Sequence, residues 1–149
     1  MSLNTPDLTK QPPRSPRVRL GGYASLPRML DKGRATLAGK NGEYHFDCPL
    51  DKRLLSFLGL EAEQVSKQLA AGKSDGEILE WIQATAKPNR NDAEIVAWSA
   101  SAEQRVPTDP GARTYFNDIH AKAGPKRSDI ATWFDLLDLD DYVSFGGKA

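Results

Sequence analysis

The densest group of side chains able to do chemistry lies within residues 28–34. Arg28, Asp31, Lys32 and Arg34 stand close together there. Guanidinium groups beside a carboxylate can clamp an anionic ligand. The alternative is a solvated helix face on which Asp31 pairs with either arginine for well under about 1 kcal/mol. The sequence favours the solvated face, and the irregular segment that follows keeps the ligand-binding interpretation open.

A second group, from Tyr44 to Cys48, lies in that irregular segment. His45, Asp47 and Cys48 are potential metal ligands, but a zinc site usually needs four and no second clustered pair exists, so we expect no metal. The residue types also allow Cys48 to be a nucleophile with His45 or His120 as its base, although a single cysteine is more often a small buried hydrophobe. No catalytic residue or cofactor is assigned. The candidate ligand-binding residues are Arg28, Asp31, Arg34, Tyr44, His45 and Cys48.

Charge is unevenly distributed along a chain of 149 residues whose net charge is zero. Residues 1–40 hold eight Lys and Arg against two Asp, whereas residues 128–149 hold five Asp against one Lys. Such asymmetry can mark a nucleic-acid-binding arm, but a dedicated binder usually carries an overall basic surface. We favour a basic arm that lies across the protein's own acidic end, or a solvated tail. The acidic residues lack the alternating spacing of a calcium loop.

These candidate residues need helices to position them. Four prolines predict an extended arm over residues 1–22, ending at Gly21-Gly22. The first helix is expected near Ser25, which can cap it, with Pro27 in its first turn. Its apolar stripe contains Leu26, Met29, Leu30, Gly33 and Leu37, with Gly33 as a point of close approach. Residues 40–48 are predicted to be irregular or hairpin-like, with a short extended piece around residues 44–46.

The rest of the chain predicts further short helices, each with a start signal. Asp51 is expected to cap the second, and a weaker helix is expected over residues 61–71. Ser74 with Glu77, and Asn91 with Glu94, resemble capping boxes. Asp109-Pro110 opens another helix, and Ser128 is expected to cap the last. The prediction is an all-α, compact bundle of six or seven short helices.

All three tryptophans follow an acidic residue and an isoleucine in one pattern. The spacing is acid, Ile, two residues, then Trp, for Trp81, Trp98 and Trp133. Ile and Trp three residues apart share a helix face, so we expect the tryptophans to anchor a helical core. The first two instances are offset by 17 residues, which leaves an internal duplication open.

Length and composition indicate one ordinary globular domain over residues 23–149, preceded by the arm. A single cysteine excludes an internal disulfide framework and is typical of a reducing compartment. There is no apolar run near the ~20 residues that cross a bilayer and no apolar secretory segment. A cytoplasmic location without membrane association is therefore expected.

The chain resembles the bacterial family catalogued as domain of unknown function 5069. The likeness rests on residues 26–35, Leu-Pro-Arg-Met-Leu-Asp-Lys-Gly-Arg-Ala, on Gly42-Glu43-Tyr44, and on Cys48-Pro49-Leu50-Asp51. It continues through residues 75–81 and 94–99. The resemblance implies a small, single-domain, soluble bacterial protein and assigns no activity.

Three functional hypotheses follow. The leading one is a non-enzymatic binding or protein-interaction module, because no recognisable catalytic constellation is present. The rival is a small-molecule enzyme or anionic-ligand-binding protein that uses a pocket around residues 28–51. A weak nucleic-acid binder acting through the basic arm is the least favoured.

Overall fold

The computed structural model describes residues 5–149, and this part of the chain forms seven helices and one two-stranded hairpin. The first four residues of the predicted arm lie outside the described residues. The all-α fold class is confirmed. The elements are β1 (Arg19–Leu20), β2 (Tyr23–Ala24), α1 (Leu26–Leu37), α2 (Pro49–Leu58), α3 (Ala62–Ala70), α4 (Asp75–Thr85), α5 (Asp92–Glu103), α6 (Pro110–Ala123) and α7 (Trp133–Ser144).

Helix α1 is the central element, because every residue from Leu26 to Ala35 is buried. It packs against α3 at Gly33, where a Cβ atom would lie 2.5 Å from Leu69 Cδ1. The predicted close approach at this glycine is therefore confirmed. Leu37 is half exposed, so the apolar stripe ends one turn earlier than predicted.

The strand pairing lies at residues 19–24 rather than near residues 40–48. Arg19 pairs with Ala24 and Leu20 with Tyr23 in antiparallel register, and Gly21 and Gly22 take positive φ in the turn. The predicted extended piece at residues 44–46 is irregular. Asp47 takes a positive φ of 63° and Pro49 opens α2 at once, which leaves no room for a strand.

Several predicted helix starts are confirmed. Ser74 and Asn91 close capping boxes with Glu77 and Glu94, and Asp109 accepts a hydrogen bond from the Ala112 N–H. Ser25 stands at the N-cap of α1, but its hydroxyl makes no capping bond, since its φ is 64°.

Two predicted caps are wrong. The N-cap of α2 is Cys48, three residues before Asp51, because Pro49 sets the first turn. The last helix is capped by Thr132 and not by Ser128. Thr132 has Asp135 three residues later to complete a capping box, and no acid stands at that distance from Ser128.

The tryptophans pack at the edges of the core and are partly buried. Trp81 and Trp98 lie against the main apolar cluster, and Trp98 stacks on Phe57 with ring centroids 5.1 Å apart. Trp133 joins a second cluster between α6 and α7, with its ring 5.2 Å from that of Phe116. Within the described residues, no helix has the length and apolar character that a membrane crossing requires.

Candidate ligand-binding cleft

The charged side chains of α1 are buried, which makes the predicted solvated ion-pair face wrong. Arg28 and Lys32 are each 3% exposed, and Asp31 and Arg34 are 7% and 5% exposed. Buried charges require partners, because desolvation is costly. Each of these side chains finds its partner outside α1.

Arg28 and Lys32 face a cleft of about 520 Å³. Residues four apart share a helix face, so α1 presents both cations to the same side. The 42–50 segment forms one wall and the end of α7 forms the other, and Leu8 lies beside Gly42, where a Cβ atom would be 2.8 Å from the Leu8 carbonyl oxygen. The lining residues are Leu8, Thr9, Arg28, Lys32, Gly42, Glu43, Tyr44, His45, Cys48, Leu50, Leu137, Asp140, Asp141, Ser144 and Phe145.

Arg28 is held by Asp141 of α7. Its Nη1 donates to Asp141 Oδ2 at 2.7 Å and its Nη2 to Oδ1 at 3.3 Å. The Tyr44 hydroxyl donates to the same carboxylate at 2.7 Å, and the Arg28 guanidinium lies 5.5 Å from the Tyr44 ring centroid. Burial, followed by the hydrogen bond to Asp141, raises the pKa of Tyr44 well above its usual value. This trio joins α1, the irregular segment and α7.

Lys32 is held by Asp51 and Cys48. Its Nζ lies 2.9 Å from Asp51 Oδ1 in a buried ion pair. The same Nζ donates to Cys48 Sγ at 3.1 Å, and the other Asp51 oxygen accepts from the Asp47 N–H at 3.0 Å. Burial raises the pKa of Asp51, and Lys32 opposes that rise without cancelling it. Lys32 thus ties α1 to the first turn of α2.

Asp31 and Arg34 do not line the cleft. Asp31 accepts three hydrogen bonds from Arg14, through the backbone N–H, Nε and Nη2, at 2.9–3.0 Å. Arg34 donates to Asp75 Oδ1 at 2.7 Å, and Arg14 donates to the other oxygen of Asp75 at 2.8 Å. Partial burial raises the pKa of Asp75, but hydrogen bonds from Arg14 and Arg34 outweigh it, so the net pKa is lowered. These two candidates belong to a structural network.

The basic arm lies across the acidic end of the chain, as one sequence interpretation predicted. Arg17 pairs with Asp135 and Asp138, and the Ser15 hydroxyl donates to Asp138 at 2.7 Å. Arg14 and Arg17 therefore bind carboxylates of their own chain, which leaves these two cations poorly placed to neutralise phosphates.

A family model described as "Domain of unknown function (DUF5069)" matches residues 10–143. The chain belongs to this family. None of the curated proteins matches it. The matched residues include most of both walls of the cleft. The lining residues near Leu8 and those beyond Val143 lie outside the match.

The two histidines lie in different parts of the structure. His45 lines the cleft with Cys48. His120 lies on α6 and bonds through Nε2 to the Arg127 carbonyl oxygen at 2.7 Å, so it is not the base for Cys48. Across residues 5–149, no three His, Cys, Asp or Glu side chains are grouped so as to hold a metal ion.

Of the six candidate residues in this DUF5069 protein, Arg28, Tyr44, His45 and Cys48 meet at the cleft. Sequence reasoning missed Lys32 as a lining residue, although its position four residues after Arg28 placed both on one face. It also missed Asp141 and Phe145. Asp141 is 113 residues from Arg28, and no local pattern signals a contact at that separation.

Proposed function

We propose that this chain is a small-molecule-binding protein and that its ligand is an organic amine with an apolar body, held in the cleft between residues 42–50 and α7. The observation that carries the proposal is the pairing of charges in this cleft. Its cations are already matched by carboxylates from within the protein, whereas two of its lining carboxylates are not.

The cations of the cleft have little capacity left for an anion. Arg28 makes two hydrogen bonds to Asp141 and a third to the Arg14 carbonyl oxygen, and Lys32 contacts Asp51 and Cys48. An anionic ligand would have to displace one of these carboxylates and leave it buried without a partner, which costs several kcal/mol. The charge balance therefore argues against the anionic ligand that the sequence suggested.

Two carboxylates at the cleft remain available to pair with a cationic ligand. Glu43 and Asp140 are exposed lining residues, and neither forms an ion pair with any residue in the described part of the chain. A protonated amine placed between them gains charge-assisted hydrogen bonds without breaking an existing pair.

The walls suit an apolar body. Leu50, Leu137 and Phe145 contribute apolar surface, and Phe145 stacks beside Tyr44 with ring centroids 6.5 Å apart. Exposed aromatic rings also attract cations. A volume of about 520 Å³ falls within the range of roughly 300–1,000 Å³ that is usual for small-molecule sites.

A matched ligand series tests the proposal. Thermal unfolding is measured with 2-phenylethylamine, 2-phenylethanol and 3-phenylpropionate, which share a skeleton and differ in charge. A ligand at about ten times its Kd stabilises by ~1.4 kcal/mol and raises the Tm by about 3–5 °C for a chain of this size. We expect the amine to give the largest rise and the carboxylate to give none.

A variant that fills the cleft tests whether the amine raises the Tm by binding there. Ser144→Phe places a ring in the cleft, whereas Ser101→Phe makes the same change at an exposed position on α5. The amine-induced rise should vanish in the first variant and persist in the second. Stabilisation by the carboxylate alone, or an amine effect that survives Ser144→Phe, would overturn the proposal.

A further inference from the structure

The contact between Lys32 and Cys48 supports an inference that goes beyond ligand binding. We propose that these two residues form a reversible covalent cross-link, in which a single oxygen atom bridges Lys32 Nζ and Cys48 Sγ, when the protein meets a peroxide. The product is an S–O–N bridge between α1 and the first turn of α2.

The geometry already holds the two atoms together. Nζ and Sγ are 3.1 Å apart, so one inserted oxygen can reach both with a small closing movement. The Lys32 side chain is only 4% exposed and is fixed by Asp51, which is 1% exposed. Because Lys32 cannot swing into solvent, its nitrogen remains beside the sulfur throughout an oxidation.

A peroxide can reach the sulfur. Cys48 is half-buried and lines the cleft together with Lys32. Cys48 is also the only cysteine of the chain, so an internal disulfide is not available to an oxidised sulfur. The nitrogen of Lys32 is the neighbouring nucleophile that remains.

The chemistry balances with two peroxide molecules. In the first step Cys48 sulfur attacks one peroxide oxygen, the O–O bond breaks, and sulfenic acid and one water form. In the second step the neutral Lys32 amine attacks an oxygen of a second peroxide, the O–O bond breaks, and a hydroxylamine and one water form. In the third step the hydroxylamine oxygen attacks the sulfenic sulfur, the bond from sulfur to its hydroxyl breaks, and the S–O–N bridge and one further water form. Sulfur and nitrogen each lose two electrons, and each peroxide gains two. Four molecules of an external thiol reverse the reaction, giving back thiol, amine, one water and two disulfides.

Asp51 is placed to take the proton that the amine must lose. Its carboxylate lies 2.9 Å from Lys32 Nζ. Burial raises the pKa of Asp51, so it is a better proton acceptor than an exposed aspartate. Proton transfer leaves a neutral acid beside a neutral amine, which removes two buried charges.

Intact-mass and peptide mass spectrometry of the wild-type protein test the proposal without any destabilising variant. After treatment with dilute hydrogen peroxide, the bridge adds one oxygen and removes two hydrogens, a gain of about 14 Da, whereas sulfenic acid adds about 16 Da. Trypsin cannot cut after a bridged Lys32, so peptide 29–34 should appear joined to peptide 41–52. Dithiothreitol should restore the separate peptides.

Two variants serve as controls. Cys48→Ser should give no joined peptide, and Lys52→Met, which removes an exposed lysine of α2, should give as much as the wild type. Separate peptides in the oxidised wild type overturn the proposal, whether Cys48 carries only added oxygens or is unmodified. A gain of about 14 Da on a single peptide overturns it equally.

Discussion

Buried cations on α1 are each matched by a carboxylate from another part of the chain. Arg28 binds Asp141, Lys32 binds Asp51 and Arg34 binds Asp75. Replacing a whole buried pair by apolar residues is often neutral, but removing one partner leaves an uncompensated charge and costs about 3–5 kcal/mol. Single substitutions at these buried pairs should therefore lower the free energy of unfolding far more than single substitutions at exposed ion pairs.

Lys32→Met should lower the free energy of unfolding by about 3–5 kcal/mol at neutral pH, because Asp51 is left buried without its cation. The deficit should be smaller near pH 5. Burial already raises the pKa of Asp51, and the loss of Lys32 raises it further. A group whose pKa is higher in the folded state costs stability as pH rises from about 4, the unfolded value, through the folded value. Urea denaturation at the two pH values measures the effect.

Two further variants test this explanation. Lys52→Met, at an exposed position on α2 next to Asp51, should stay within about 0.5 kcal/mol of the wild type. The double variant Lys32→Met/Asp51→Leu should recover much of the loss. A Lys32→Met deficit that is equal at both pH values would show that lost packing, and not an unpaired carboxylate, is responsible.

Tyr44→Phe should cost about 1–2 kcal/mol, because the hydroxyl donates to the Asp141 carboxylate. Burial first, and then that hydrogen bond, raise the pKa of Tyr44. The folded state therefore holds this proton more tightly, and the associated stability is complete below about pH 10 and falls as pH rises above it. The difference between wild type and variant, from urea denaturation, should be constant up to about pH 9 and shrink beyond pH 10. Tyr115→Phe, at an exposed ring, should cost under about 0.5 kcal/mol at neutral pH.

At the scale of elements, the end of α2 is fixed by contact with the segment before Pro88. Gly59 has φ +66°, and a Cβ there would lie 1.9 Å from the Lys87 carbonyl oxygen. Gly39, after α1, has a similar φ of +68° with nothing within 4 Å of such a Cβ. Both glycines therefore need a positive φ, but only at Gly59 would a Cβ atom clash with neighbouring backbone.

Gly59→Ala should therefore destabilise more than Gly39→Ala. The left-handed conformation costs each variant about 1–2 kcal/mol, and the backbone clash at Gly59 adds about 1–3 kcal/mol. Thermal or urea unfolding of both variants separates the two contributions. Equal losses would show that the segment at Lys87 moves away at no cost.

The helices were largely predictable because their signals are local. Ser74 with Glu77 and Asn91 with Glu94 lie within one turn of each other, and their capping bonds form as expected. The failures also have local causes: Pro49 starts α2 ahead of Asp51, and the Thr132–Asp135 box displaces Ser128. The hairpin at residues 19–24 was missed because two residues per strand are too few to show alternation.

At the scale of the whole molecule, the arm is held by ion pairs to α1, α4 and α7. Arg14 joins Asp31 to Asp75, and Arg17 binds Asp135 and Asp138. Arg14→Met should cost about 1–2 kcal/mol, reduced by the partial exposure of the guanidinium but sustained by the buried Asp31. Arg19→Met, which loses one partly exposed pair with Glu103, should cost under about 0.5 kcal/mol. Urea denaturation of both variants tests the ranking, and similar losses would contradict it.

The candidate site was only partly predictable from the sequence. Residues 28–51 supplied Arg28, Tyr44, His45 and Cys48, because they crowd into one stretch of chain. Burial of the charged face of α1 depends on Asp141, Asp75 and Arg14, which are 113, 41 and 17 residues from their partners. Asp141 neutralises Arg28 at the cleft, which is why the proposed ligand is a cation, whereas residue types within α1 alone suggested an anion.

Binding of an organic amine in the cleft is tested most directly by titrating the isotopically labelled protein with 2-phenylethylamine and following the amide chemical shifts. We expect saturable shifts confined to residues 42–50 and 137–145, which form the two walls of the cleft. Amides around the exposed Val96 and Tyr115 should not move. Shifts that cluster around those exposed apolar side chains, or an absence of saturable shifts at both walls, would contradict it.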